Sequence, residues 1–266
     1  MNYELLVLDI DDTLLTSEHI ISPRTYDALI DLQQRGKKLV LASGRPTPSM
    51  IEVAKQLKLD EFDSYVIAFN GAVVMRVRDL QEIFSQRIEH SEQRAIIDYL
   101  QQHDLAVTTY TEDTVMIDRR NEYSDIEGEL TGMPTLYDAE WMANLVEPRL
   151  KFIGVGHPDI VAQCEADLQG KFGQSTYVTT SKPFFLEMMH QNVSKGRSIE
   201  RLCKHLGIDV EQVIACGDGN NDATMIEVAG RGIAMGNATE YLKSIADEVT
   251  LSNDEDGIVA VIEKYL

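Results

Sequence analysis

The sequence predicts an α/β fold, a parallel-sheet core carrying an inserted α+β module, on three observations. First, short apolar runs suited to strands ("ELLVLDI", "KKLVLAS", "SYVIAFN", "VIACG", "GIAM") alternate with helical patterns, the rhythm of βα units. Second, that rhythm breaks near residue 72 and resumes at Ser194. Third, the stretch between holds runs of neighbouring strand-like segments with fewer helices, the pattern of a separate α+β layer. The core is therefore expected over residues 1–82 and 189–266, and the insertion over 83–188.

The first strand, "ELLVLDI", leads into a well-marked helix. Ser22 suits the N-cap, Pro23 the first helical position, Tyr26, Leu29, Ile30 and Leu32 form an apolar stripe, and Gly36 is the stop. Asp9 to Asp12 thus fall on a strand-to-helix connection, where ligands of open α/β sheets gather. Two further strand candidates end in "ASGR" and "FNGA". "AVVMRVRDLQEIFSQRI" reads as a hairpin and "SEQRAIIDYLQQH" as a helix; "LAVTTYT" and "TVMIDRR" are β-rich. A weakly patterned stretch around Trp141 follows. Beyond it come the strand-like "RLKFIGVG", a helix over "PDIVAQCEADLQ" and the paired segments "STYVTTS" and "PFFLEMM".

Charge and cysteine content narrow the function classes. The 266 residues are 44% hydrophobic, enough for a sizeable core, and carry a net charge of −20. That balance disfavours nucleic acid and anionic membranes, which reward clustered Lys and Arg. A small anionic substrate fits only where a metal and a few basic residues reverse the field locally. Cys164, Cys203 and Cys216 form no CxxC pair, so neither a disulfide framework nor a zinc cluster is indicated. With no basic n-region at the start and no apolar run near the ~20 residues of a spanning helix, a cytoplasmic protein is expected. No coiled-coil heptads appear, and a monomer or weak homo-oligomer is expected.

"DIDDTLL" raises the chemical question, because it crowds three carboxylates within four positions after a core-bound strand. Repulsion and partial burial demand a positive charge among them. Three other stretches could share the same sheet edge: "ASGR" (42–45), "VSKG" (193–196) and "GDGNND" (217–222). Each follows a strand candidate or opens a helix, where backbone N–H groups and positive helix ends favour phosphate.

With these four motifs in order, the chain closely resembles the Cof-type phosphatases of the haloacid-dehalogenase superfamily, whose large α/β cap is inserted between the second and third motifs. The resemblance covers the whole chain and implies a Rossmann-like core, a substrate-selecting cap and a Mg2+-dependent phosphomonoester hydrolase. It implies Asp9 as nucleophile, Asp11 as acid and base, and Lys195 as the cation pairing with Asp9 and the phosphoryl group. Magnesium would be held by the Asp9 carboxylate, the Asp11 carbonyl and Asp218, with Asp222 orienting metal-bound water. Ser43 and Gly44 would meet phosphate; Arg45, Asn70, Gly71 and Asn221 would meet phosphate or substrate. One departure stands out: Asp12 occupies the position where the family pattern has glycine. Sugar phosphates are the first expectation, flavin or pyridoxal phosphates the next. A phosphotransferase or mutase using the same site, or a catalytically silent binding protein, remain the alternatives.

Overall fold

The structure, a computed structural model, describes residues 3–266. Strand β1, Leu5–Leu8, is buried at every position, as a central strand of a parallel sheet covered on both faces must be. A tight turn over Ile10–Leu14 leads on to helix α1, Pro23–Gln34. Ser22 caps α1, its Oγ accepting from the Thr25 N–H at 3.1 Å, and Gly36 follows the helix at φ +83°. The buried stripe is rotated from the apolar reading: Thr25, Leu29, Leu32 and Gln33 face the core, whereas Tyr26 and Ile30 are half-buried. Gln33 earns its place by donating from Nε2 to the carbonyls of Leu29 (3.2 Å) and Leu57 (3.0 Å).

Strand β2 (Lys38–Ala42), helix α2 (Thr47–Gln56), β3 (Tyr65–Ala68) and the strands β4 (Val73–Arg76) and β5 (Gln81–Ser85) follow. Next come α3 (His90–Gln102), β6 (Ala106–Tyr110), β7 (Val115–Ile117), α4 (Ile126–Thr131), β8 (Thr135–Tyr137), α5 (Ala139–Ala143), β9 (Lys151–Val155), α6 (Pro158–Leu168) and β10 to β12 (Lys171–Phe172, Thr176–Lys182, Phe185–His190). The stretch around Trp141 therefore holds α4, β8 and α5. Elements of three to six residues complete too few turns or alternations to show a period. The chain closes with α7 (Lys195–Leu206), β13 (Val213–Gly217), α8 (Ala223–Val228), β14 (Arg231–Ala234), α9 (Glu240–Ile245), β15 (Glu248–Val249) and α10 (Gly257–Tyr265).

The chain forms two compact units. One runs up to Phe84 and takes in Ser194–Leu266; the other is Ser85–Val193. The first holds a sheet ordered β15-β14-β13-β1-β2-β3-β4-β5, parallel from β15 through β3, with β4 turning back antiparallel to β3. From β1 the chain steps outward through β2 and β3, and from β13 it steps the other way through β14. The order thus reverses between β1 and β13, and the carboxyl ends of those two strands flank the crevice where such sheets bind ligands. The second unit holds a sheet ordered β10-β11-β12-β9-β6-β7-β8. Helices α3 and α6 pack on one of its faces through Ile96, Ile97, Leu100, Val161 and Cys164, against Val107, Phe152, Val178, Leu186 and Met188.

Candidate active site

The register of β1 and β13 builds the centre of the site. Leu8 lies opposite Cys216, so the chain emerges from both strands side by side, with Asp9 on one and Asp218 two residues past Cys216 on the other. The Asp9 N–H donates to the Cys216 carbonyl at 3.1 Å, and the residue is 6% exposed. Lys195, the first residue of α7, is fully buried; its Nζ lies 2.5 Å from Asp9 Oδ1 and 2.5 Å from Asp222 Oδ1. The second Asp222 oxygen accepts from the backbone N–H groups of Asp218 (3.0 Å) and Gly219 (2.9 Å). Asp222 therefore folds its own loop and fixes the lysine with the same carboxylate.

Asp9, Asp218 and Asp222 each offer an oxygen within 4.8 Å of the others. Three carboxylates share one ammonium, and the acidities reflect that excess. Burial pushes the Asp9 carboxyl well above its ordinary value, aided by Asp222 and Asp218 and opposed by Lys195. Burial likewise lifts Asp218 to about 6; the hydrogen bond from Thr13 opposes the rise and the Asp222 and Asp12 charges add to it. For Lys195, burial works against the ammonium, but Asp9 and Asp222 outweigh it and hold the group above its ordinary range.

The ends of β2 and β3 form the neighbouring wall. Ser43 is buried, and its N–H donates to the Ile67 carbonyl at 2.9 Å. Its Oγ accepts from the Arg45 N–H at 3.2 Å, and its carbonyl accepts from the Asn70 N–H at 2.9 Å. Asn221 donates from Nδ2 to Asn70 Oδ1 at 3.3 Å, joining this wall to the β13 loop. A side chain on Gly44 would press on Asn70 at 3.2 Å. Gly71 is held at φ +106°, where a Cβ would lie 2.3 Å from the Ser194 carbonyl oxygen, and the Ser198 hydroxyl donates to the Gly71 carbonyl at 2.7 Å. Only glycine lets the end of β3 approach the start of the lysine helix this closely.

Arg45, expected to meet phosphate or substrate, pairs with Asp11 in this structure. Its guanidinium binds the Asp11 carboxylate through both ends, Nε at 2.9 Å and Nη2 at 2.5 Å. The Arg45 pKa rises, chiefly through that hydrogen bond. Two contacts escaped the sequence reading. Thr13 donates from Oγ1 to Asp218 Oδ1 at 2.8 Å, and the hydroxyl directly after the three aspartates was a usable signal. Asn237 donates from Nδ2 to the Asp12 carbonyl at 2.7 Å, and nothing in the sequence ties residue 237 to residue 12. His190, the histidine nearest a motif, lies in the other unit; its Nδ1 accepts from the Asn192 N–H at 3.0 Å and its Nε2 is 3.6 Å from Glu89.

Comparison with known proteins identifies the family. The model of the haloacid dehalogenase-like hydrolase family matches residues 6–262. A Streptococcus pyogenes protein with a provisional phosphatase name is 31% identical over 100% of this chain and 99% of its own. A Bacillus subtilis phosphatase named for 5-amino-6-(5-phospho-D-ribitylamino)uracil is 27% identical over 100% of this chain and 97% of its own. A solved haloacid dehalogenase-like hydrolase from Bacteroides thetaiotaomicron superposes with a TM-score of 0.91 at 33% identity, covering all of both chains. No helix among the described residues is long and apolar enough to cross a membrane. The crevice between β1 and β13, with its buried lysine among three carboxylates, thus sits in a chain that belongs to the haloacid dehalogenase-like hydrolases and is a phosphatase of that family.

Proposed function

We propose that this phosphatase hydrolyses a small phosphorylated metabolite through an aspartyl-phosphate on Asp9, with magnesium as its cofactor. The observation that carries the reading is the fully buried Lys195 bridging Asp9 and Asp222 beside Asp218, with carboxylates in excess. Hard oxygen donors with surplus negative charge in one crevice suit Mg2+. The Asp9 and Asp218 carboxylates and the Asp11 carbonyl would hold it, and when bound it would draw negative charge from the phosphate oxygens.

The protein's own groups account for the steps. An Asp9 carboxylate oxygen attacks phosphorus in line, and the bond to the leaving oxygen breaks as Asp11 gives that oxygen a proton. Asp11 then removes a proton from a water that attacks phosphorus, which frees Asp9 and releases phosphate. Lys195 offsets charge at Asp9 throughout. The Asp11 carboxylate must leave Arg45 to act, and the released guanidinium is then available to a substrate oxygen. Ser43, Gly44, Asn70, Gly71 and Asn221 line the side from which phosphate and leaving group would be held. Asp222 acts through Lys195 and the β13 loop. Residues 1–84 with 194–266 serve as the catalytic core, and 85–193 as a substrate-selecting cap. A sugar-type phosphate is the preferred substrate class, and the relative named for a phosphoribityl compound supports a polyol phosphate.

Phosphate release from an aryl phosphate, with magnesium, with EDTA, and in Asp9→Asn, tests the reading. Removing a covalent nucleophile costs about four or more orders of magnitude. Loss of release in EDTA and in the variant is expected. Release that survives Asp9→Asn overturns the covalent route, and phosphosugar in place of free phosphate when a sugar acceptor is supplied points to phosphoryl transfer.

A further inference from the structure

The turn after β1 carries a non-glycine residue in a conformation that L side chains rarely adopt. Asp12 has φ 58° and ψ 8°, while Asp11 beside it is extended at φ −76° and ψ 131°. This left-handed step aims three groups at once. Asp9 remains in line with β1, Asp11 turns to Arg45, and the Thr13 hydroxyl reaches back to Asp218. Any relaxation of Asp12 toward ordinary backbone angles would displace Asp11 and Thr13 together.

Within the turn, the Leu15 N–H donates to the Ile10 carbonyl at 2.9 Å. Two side-chain amides from distant loops hold it from outside. Asn237 donates from Nδ2 to the Asp12 carbonyl at 2.7 Å, and Asn253 donates from Nδ2 to the Leu15 carbonyl at 2.9 Å. The two residues are themselves joined, the backbone N–H of Asn253 donating to Asn237 Oδ1 at 3.1 Å. The segment bearing Asn237 is also anchored to the metal-side loop: the Thr239 N–H donates to the Asp218 carbonyl at 2.9 Å, and its hydroxyl to Asn220 Oδ1 at 2.7 Å. The connection after β14 therefore braces both sides of the crevice at once, the β1 turn and the β13 loop.

We propose that Asn237 is a positioning residue: its amide, steadied by Asn253, clamps the Asp12 peptide in the left-handed turn and so keeps Asp9, Asp11 and Thr13 in reacting register. This rests on the reading of Asp9 and Asp11 as the reacting carboxylates. Asn237 touches no reacting atom, and its effect passes through one carbonyl. The clamp matters because residue 12 has a side chain that makes the left-handed angles costly; a glycine there adopts the same angles without that cost.

The test measures kcat and KM for an aryl phosphate, and urea unfolding, in wild type, Asn237→Asp, Asn237→Ala, Asp12→Gly and both double variants. Asn237→Asp keeps the acceptor for Asn253 but loses the donor to Asp12. Either change at 237 is expected to lower kcat about 10-fold, the scale of one hydrogen bond in a reacting geometry, with KM moved less than about 2-fold. In the Asp12→Gly background the same changes are expected to lower kcat less than about 3-fold. An equal loss in both backgrounds, or an unfolding midpoint that shifts while kcat does not, overturns the proposal. Should wild type release no phosphate from any compound, the assigned chemistry fails separately. The urea cycle then decides: a smaller penalty for Asn237→Ala in the Asp12→Gly background supports the clamp, and equal penalties overturn it.

Discussion

Each of the two units buries one lysine, and the company each keeps is different. In the core unit Lys195 faces Asp9 and Asp222, with Asp218 close by, so that one ammonium serves three carboxylates. In the inserted unit Lys151 pairs with Glu187 at 2.7 Å, the Ser181 hydroxyl donates to the same Glu187 at 2.6 Å, and the Tyr110 hydroxyl donates to Glu127 at 2.5 Å. Burial raises the Glu127 carboxyl, against the pull of Lys151 and the Tyr110 hydrogen bond. The second cluster sets two carboxylates, Glu127 and Glu187, against one ammonium, where the first sets three against one. The first retains the larger excess of negative charge, and a surplus of that kind costs folding stability unless something from outside supplies the balance. Imbalance, more than burial, separates a place for chemistry from a place that fixes a packing arrangement.

Removing each lysine in turn should break the symmetry between the clusters most sharply. Lys195→Met is expected to lower kcat for an aryl phosphate about 1000-fold or more, since charge compensation at the reacting oxygen is lost. It should also cost about 3 kcal/mol or more in urea unfolding, because two buried carboxylates lose their partner. Lys151→Met should cost a similar ~3 kcal/mol while leaving kcat per folded molecule on the same small substrate within about 3-fold. The double variant Lys151→Met/Glu187→Leu should regain most of that stability, the behaviour of a pair replaceable by apolar side chains. A large kcat loss in Lys151→Met would mean that the second cluster also takes part in catalysis.

The smallest expected effect is a difference in how the clusters answer to pH and to metal. Folded Asp218 keeps its proton up to about 6, against an ordinary value of 3.8. Between those values the metal-free folded state binds more protons than the unfolded chain, so its stability falls as pH rises through that window. Under the proposed function, magnesium would compete with the same proton. Its stabilising effect in thermal unfolding should therefore be slight near pH 5 and grow on the way to pH 7. The Glu127 cluster should show no such magnesium dependence. An upshift equally large at both pH values would remove Asp218 from the set of metal ligands.

Much of the core was legible in the sequence, for physical reasons that differ from element to element. Strands buried on both faces read as unbroken apolar runs, so β1, β2, β3 and β13 stand out. Ser22 and Pro23 announce α1 because capping chemistry is local. The four motif loops were visible because each packs several polar residues into a few positions beside such a run. What stayed hidden depends on partners far along the chain. The burial of Gln33 is explained only by the Leu57 carbonyl beside it, twenty-four residues on. The pairing of Arg45 with Asp11, and of Asn237 with the left-handed Asp12, shows only once the fold brings them together. Neither periodicity nor propensity carries information about such pairs.

The division of the sheet between two separated stretches of sequence also sets an order of events during synthesis. β1 needs β13 as a neighbour, and about two hundred residues of chain separate them, including all of Ser85–Val193. The inserted unit is continuous in sequence and can fold as soon as it is made, whereas the core must wait for its second half. Asp9 is made well ahead of Lys195 and Asp218 and can meet them only after both have been made. A nascent chain therefore carries the Asp9 carboxylate before the lysine and the second aspartate that share its site, and the crevice can assemble only once the stretch through Asp222 has been made.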